Sequence, residues 1–496
     1  MSEQIKTEEN NLSRAKTQPL DNRTKWSYCV GATGRDAAYA LVSMYLITYI
    51  QYTMKLTAAQ FATISTIMAC CLIWDAVNDP MMGIIIENAH LKSGKYRPWI
   101  LMGALLNAAL IVILFTVRPQ GWSFVVFFGI SYLLWGMTFT MNDISYWGML
   151  PSLSSDPKER NTLVTMMSIF ICIGQFSVAG VVPMVIAGNA VNAYRMCALV
   201  VALSFIAFQL LTFFGAKEQP HSTDNSTEKL SLKDMFRIFA RNDQLIAAGI
   251  AIFLFQIGSG LLIMFGMNFF YFEFGYSTGG SLVFIFTVMY GLGTLLSQVA
   301  FPFLTKKFSR KSLLLFFTIM ITVFYVCFFL IGIVIPKIPL IINIIGFCIF
   351  FSQGVFNMVL IVMLNNTIEY DEYKFHERHD SIISAVRSFA TKFASAVNQG
   401  ITNLVLIISG IYGISQNVSN LEVAAGSGEI TSQEVLTQAD GFIQTATRGQ
   451  LIGLRTGMTL IPILAIGIAL LLLRAKYKID EEEYDRMVAS LSEPEN

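Results

Sequence analysis

A chain of 496 residues that is 54% hydrophobic and only 14% charged, with mean hydropathy +0.58, lies outside the soluble range and reads as a polytopic membrane protein. Lys and Arg number 34 against 33 Asp and Glu, a net charge of +1 that argues against nucleic acid as a partner. The seven cysteines (Cys29, Cys70, Cys71, Cys172, Cys197, Cys327, Cys348) lie in or against apolar segments, without metal-ligand spacing or a disulfide framework.

Residues 1–26 are polar and charged, with no cleavable signal peptide, so the first apolar segment is expected to act as its own insertion signal. Apolar runs long enough to cross about 30 Å of hydrocarbon then recur along the chain, about twelve in all. The longest polar interruption, Lys217 to Asp243, falls after the sixth run. The pattern predicts an all-α membrane protein of 12 transmembrane helices in two six-helix bundles. The expected divisions are 1–26 as N-terminal tail, 27–216 and 244–474 as the bundles, 217–243 as a central loop with a short surface helix, and 475–496 as C-terminal tail. Two equal bundles suggest a transporter built of repeats, with its site near the midplane.

The first helix opens with GATGRDAAYALVSMY, placing Arg35 and Asp36 at or just inside the membrane. One reading is an interfacial arginine snorkelling beside a solvated aspartate. The second helix carries IWDAVNDPMMG, in which Asp75 and Asp79 are four residues apart and share a face, with Asn78 beside them. A charge at bilayer depth costs about 3 kcal/mol on insertion scales, so two on one turn must face protein and meet a positive charge or a cation. The fourth helix carries FTMNDISYWGMLP. Here Thr140 and Asp143 share a face and Trp147 lies one turn on, either as an interfacial anchor or as an apolar ligand platform. The eleventh carries AVRSFATKFASAVNQGITN, with Lys392 some ten residues into the span and Arg387 a little over one turn earlier. A lysine at that depth is not expected to face lipid.

Charge bias orients the chain. The loops after even-numbered helices through the tenth carry Lys92, Lys95 and Arg97, then Lys158 and Arg160, then Lys229 to Arg241, then Lys306 to Lys311, then Lys374 and Arg378. The opposite loops offer little beyond Lys55, Arg118, Lys337 and Arg448. The positive-inside rule therefore puts both termini in the cytoplasm, and Ser415 to Thr447, which has four acids before its end and no lysine or arginine, becomes an extracytoplasmic loop.

Helices one, two, four and eleven thus contribute four acids (Asp36, Asp75, Asp79, Asp143) and two or three bases. Structural ion pairing would need one acid per base and leaves two carboxylates on a single turn unexplained. Carboxylate, amide and hydroxyl oxygens together suit a hard cation, and Asp75, Asn78, Asp79 and Thr140 offer that set. The four histidines (His90, His221, His376, His379) are in polar loop regions and no hydrolase motif is present, so an intramembrane enzyme is not expected.

DAVNDPMMG, GKYRPWILMG, NDISYWGMLP followed by DPKER, and IEYDEYKFHERHDS occur in order on the corresponding helices. Across roughly residues 27 to 476 the chain resembles the glycoside–pentoside–hexuronide:cation symporters, the melibiose-permease-like branch of the major facilitator superfamily. The resemblance implies two bundles moving about a central sugar site. It implies a sodium site on Asp75, Asn78, Asp79 and Thr140, with Asp75 and Asp79 as the metal ligands, and H⁺ or Li⁺ as alternative coupling ions. It places sugar contacts on Arg35, Asp36, Asp143 and Trp147, and brings Lys392 up to the cation site. The chain departs from the family where a helix-five arginine becomes Ser168, a helix-two arginine Leu72, a helix-ten tryptophan Asn357 and a helix-eleven glutamine Arg387. Arg387 would suit a different or an anionic ring, or would pair with Asp36 or Asp143.

The function expected is import of a sugar or glycoside (an oligosaccharide, pentoside or hexuronide) by symport with Na⁺ or H⁺, in the cell membrane, by a protein that needs no cofactor beyond the coupling cation and suffices as a monomer. Ion pairs at Lys92–Arg97 and Asp156–Arg160 are expected to latch one state. The rivals are a lysolipid-type facilitator, which would want a more apolar pocket than Arg387, Lys392, Asn398 and Gln399 provide, and a non-transporting sugar sensor.

Overall fold

A lipid-exposed backbone must satisfy its polar groups internally, and this chain does so with helices. The computed structural model describes residues 20–89, 93–154, 157–218, 237, 239–376 and 380–492. Among them are fifteen helices. The first six are α1 (Asn22–Thr53), α2 (Ala58–Asn88), α3 (Arg97–Thr116), α4 (Trp122–Leu153), α5 (Pro157–Val185) and α6 (Ala190–Gly215). Then come α7 (Asp243–Phe274), α8 (Tyr276–Thr305), α9 (Arg310–Leu330), α10 (Pro339–Phe375) and α11 (Asp380–Ile408). Last are α12 (Ile411–Ser427), α13 (Ser432–Gln444), α14 (Arg448–Lys476) and α15 (Glu481–Ser492).

Ten of these are long and apolar enough by themselves to cross a membrane, and an eleventh span is counted if α11 is joined to α12, to which it is bent by 89°. The two expected spans that fall short on apolarity are α1 and α11. They carry Arg35 with Asp36, and Arg387 with Lys392. The charges that lower their hydropathy are the ones the sequence singled out.

One expectation changes. Ser415 to Thr447 is not a plain loop, because most of it forms α12 and α13. Gly410 (φ +76°) and Gly428 (φ +81°) take the left-handed turns that bracket α12, and Thr431 with Glu434 closes a capping box at the start of α13. The central segment 219–236, His90 to Lys92, Asp156, His379 and Arg378 lie outside the described residues, as do most of the stretch 217–243, of which 237 and 239–241 are helical, and the Asp156 half of the latch.

The chain divides into two compact units. The first comprises Met1–Lys55, Ile73–Val182 and Asn189–Asn225; the second comprises Leu56–Leu72, Pro183–Gly188 and Ser226–Asn496. In the first unit, small residues let helices touch. A Cβ on Gly31 would stand 1.9 Å from Thr212 Oγ1, and one on Gly103 would stand 2.8 Å from the Asn142 nitrogen. Beneath the polar residues lies a core of Tyr28, Ala32, Ile100, Tyr146, Met149 and Leu163. The Tyr28 and Tyr146 rings stack at 4.7 Å, and each hydroxyl donates to the other residue's carbonyl. At the end of α6, one Glu218 carboxylate accepts from the N–H groups of Lys95 (2.7 Å), Tyr96 (3.0 Å) and Arg97 (2.9 Å), holding the turn that starts α3.

In the second unit, the opening of α2 is bonded to α11 and α12. Asn403 donates to Ser65, Tyr412 stacks on Phe61 at 4.4 Å, and its hydroxyl donates to the Leu56 carbonyl at 2.9 Å. Glu422 of α12 is fully buried and accepts from the Gly188 N–H and the Tyr276 hydroxyl, both at 2.8 Å. The expected C-terminal tail is partly ordered: α15 docks through Glu481 on Arg310 (3.1 Å) and Asp480 on Lys311 (3.1 Å).

Candidate cation and sugar site

In the first unit, α1, α2, α4 and α5 bring polar groups into an otherwise apolar core. Arg35 is the pivot. Its side chain is 3% exposed. Nε (3.0 Å) and Nη2 (2.7 Å) both donate to Asp36 Oδ2, and Nη1 lies 3.1 Å from Asp143 Oδ1. Nη1 is buried without an aligned hydrogen bond, so the Asp143 contact is one of charge rather than a well-directed bond. The guanidinium plane lies 4.8 Å from the Tyr146 ring centroid and 5.5 Å from that of Trp147, within cation–π range. Trp147 is 40% exposed, which leaves part of its face open beside the charges.

The cation candidates lie next to this cluster on α2 and α4. Asp75 and Asp79 are half-buried, Asn78 and Thr140 buried. Thr140 Oγ1 donates to Asp79 Oδ1 at 3.0 Å. Asp75 packs against α4 where Gly136 leaves room, since a Cβ there would stand 3.0 Å from Asp75 Oδ1. Among the described residues the buried Asn78 Nδ2 has no hydrogen-bond partner, a cost that natural cores seldom leave unexplained. Half-buried Tyr39 tilts against Phe139 at 4.9 Å and sits in the field of Asp75, Asp143, Asp36 and Asp79. Two carboxylates, an amide and a hydroxyl, held on two packed helices, fit a hard monovalent cation. Among the described residues no group of three or more His, Cys, Asp or Glu side chains forms a transition-metal site.

The first unit therefore brings together Arg35, Asp36, Asp75, Asn78, Asp79, Thr140, Asp143 and Trp147. Arg387 and Lys392 belong to the second unit, on α11. Arg387 is exposed and Lys392 half-buried. Below them Gln256 Nε2 donates to Thr391 Oγ1 (3.3 Å), and Asn398 Nδ2 donates to the Gln256 carbonyl (3.0 Å). Ser168 is exposed and donates to its own helix at Val164 (2.8 Å).

Sequence reasoning missed Gln175 and Tyr146. Gln175 Nε2 donates to Asp36 Oδ1 at 3.4 Å. It lies seven residues after Ser168, on the same helical face, and that spacing was the available signal. Tyr146 adjoins Asp143 and Trp147 in sequence but offers no polarity clue that would separate it from core.

A family model described as MFS/sugar transport protein matches residues 27–481. The chain is 27% identical over 412 residues to the lactose permease of Lactobacillus helveticus, covering 78% of this chain and 63% of that one. It is 26% identical to the raffinose carrier protein of Pediococcus pentosaceus, covering 77% and 62%. The chain thus spans less than two thirds of the length of these relatives. Among solved structures, a bacterial homologue of the human lysosomal transporter Spinster superposes with a TM-score of 0.63 at 12% identity, covering 93% of this chain and 98% of that one, which is a likeness of fold. With the family model spanning nearly the whole chain, this protein belongs to the MFS/sugar transport protein family.

Proposed function

We propose that the protein imports a sugar or glycoside by symport with a monovalent cation, Na⁺ on the donor set and H⁺ or Li⁺ as alternatives. The observation that carries this reading is the juxtaposition, on one set of packed helices, of a carboxylate–amide–hydroxyl set (Asp75, Asn78, Asp79, Thr140) with an acid-rich arginine cluster (Arg35, Asp36, Asp143). A cation between Asp75 and Asp79 offsets their mutual repulsion and fixes α2 against α4. Asp36 and Asp143 then accept sugar hydroxyls, and the open face of Trp147 stacks on the ring. Coupling of this kind is reciprocal, so sugar tightens the cation as much as the cation tightens sugar. One charge moving inward across 100 mV releases about 2.3 kcal/mol, enough to accumulate a neutral sugar about fiftyfold. In this reading both termini face the cytoplasm of a cell-membrane protein.

Purified protein in liposomes tests this with imposed Na⁺ and H⁺ gradients and a panel of glycosides, pentosides and uronides. Gradient-driven accumulation of a sugar by the wild type, lost in Asp75→Asn and Asp79→Asn with counterflow retained, is expected. Sugar binding that no gradient can drive would instead identify a sensor.

A further inference from the structure

Two side chains bond the carboxylate of Asp36: Arg35 on Oδ2 and, from α5, Gln175 on Oδ1. Ser168, Cys172 and Gln175 are spaced i, i+4, i+7 and share a helical face. Ser168 spends its hydroxyl on Val164, Cys172 is exposed and within electrostatic reach of Asp36, and Gln175 donates to Asp36 Oδ1 at 3.4 Å. Helix α5 therefore meets the site with neutral groups only. The one guanidinium of this cluster is already committed. Nε and Nη2 of Arg35 are on Asp36 and Nη1 is against Asp143, while Tyr146 and Trp147 lie within 4.8 and 5.5 Å of it. Its Nε/Nη2 edge is closed by Asp36, and Nη1, which lacks an aligned bond, faces Asp143, so a ring carboxylate could approach it only against that acid.

We infer that Gln175 is a specificity-determining residue, and that this half-site takes an uncharged, hydroxyl-rich ring and rejects a hexuronate. The inference rests on the transport reading above and narrows its substrate class. A hydroxyl can donate to Asp36 or Asp143 and accept from the Gln175 amide without disturbing Arg35. A ring carboxylate would face two aspartates and could reach a cation only by displacing one of them. Rejection by unpaired or repelling groups in a desolvated site is stronger than rejection by shape alone.

The test uses the full-length protein in liposomes, with neutral galactosides, glucosides and pentosides beside the matching glucuronides and galacturonides as competitors of uptake. Wild type is expected to be inhibited by neutral sugars at concentrations at least about tenfold below those needed for uronates. Gln175→Arg should raise uronate affinity relative to neutral sugar about tenfold or more, appearing in KM rather than kcat, with cation dependence unchanged. Gln175→Leu should weaken neutral sugars severalfold without admitting uronates. Alkylation of Cys172, checked against Cys172→Ser, should be slowed by neutral sugar and not by uronate. Equal competition by uronates, or a folded Gln175→Arg protein with an unaltered preference, would overturn the inference. Failure of every sugar to be transported would fall on the transport reading instead, and protection of Cys172 would still decide between neutral and acidic rings.

Discussion

Among the described residues each compact unit holds a cluster of three charged side chains centred on a buried arginine, and the two clusters end in opposite conditions. In the second unit Glu273 receives Arg455 Nε (2.9 Å) and Nη2 (2.5 Å) on one oxygen and Lys337 Nζ (3.4 Å) on the other. Arg455 Nη1 reaches the carbonyls of Ile331 and Phe329. Every nitrogen of Arg455 is engaged, and the Glu273 and Arg455 side chains are 2% and 6% exposed. In the first unit the proportions are reversed, with two acids around one base. Arg35 is as deeply buried, but Asp143 is 36% exposed, Nη1 lacks an aligned bond, and nearby Asn78 Nδ2 has no partner. A closed network over a single acid holds helix ends in place. An acid-rich network with a partly exposed carboxylate is the one we propose as a site, and the contrast gives that proposal a criterion other than burial.

The largest expected effects come from exchanging the treatment of the two clusters. Arg455→Ala leaves Glu273 buried with only the half-exposed Lys337, a loss of about 3 kcal/mol or more. Melting temperature and membrane yield should fall, while the sugar KM of the surviving protein stays put. Asp143→Asn should do the reverse, raising KM about tenfold with little change in melting temperature. Both are read by thermal unfolding in detergent and by uptake into vesicles. A stable Arg455→Ala protein with a raised KM would erase the distinction.

Smaller changes sharpen it within the first unit. Asn78→Leu removes a buried donor that has no partner, so melting should hold or rise while the cation concentration for half-maximal uptake climbs about tenfold. Thr140→Val deletes the bond to Asp79, worth about 1 kcal/mol, and should shift that concentration several-fold; Thr140→Ser should restore it. Should Asn78→Leu lower stability and leave the cation requirement alone, the amide is structural.

The smallest effect is expected outside the membrane, at α15. The Glu483 N–H and then Lys311 hold the Asp480 carboxyl below its usual value. Burial pushes Glu481 up, but the Arg310 N–H and guanidinium outweigh it and the net direction is down. A carboxyl lowered in the docked state favours docking above the ordinary carboxylate range, and that preference is lost as pH falls through it toward the lowered value. Proteolysis or hydrogen exchange of residues 481–492 should therefore speed up between neutral pH and about pH 4 or below, with no counterpart on cooling or added sugar.

Much of the fold was legible because a membrane forces it. A helix in lipid satisfies its own backbone, so length and apolarity mark each span locally, and the spacing of Asp75 and Asp79 singles out two carboxylates on one turn. The helices within Ser415 to Thr447 were not read because their polar residues, Ser415, Ser419 and the buried Glu422 among them, resemble a loop until their partners are known. Gln175 was overlooked because glutamine in a span has no fixed meaning until its partner is known.

What the sequence by itself determined is therefore the membrane-spanning helical class and the identity of the ionisable residues placed within its spans. Only the tertiary structure decided which of them meet. Arg35 bridges Asp36 and Asp143 across 108 residues of sequence, Gln175 reaches Asp36 across 139, and the Asn78 Nδ2 finds no hydrogen-bond partner among the described residues. Those pairings depend on how closely helices approach at positions such as Gly31, Gly103 and Gly136, and so on steric fit between distant segments that no local pattern encodes.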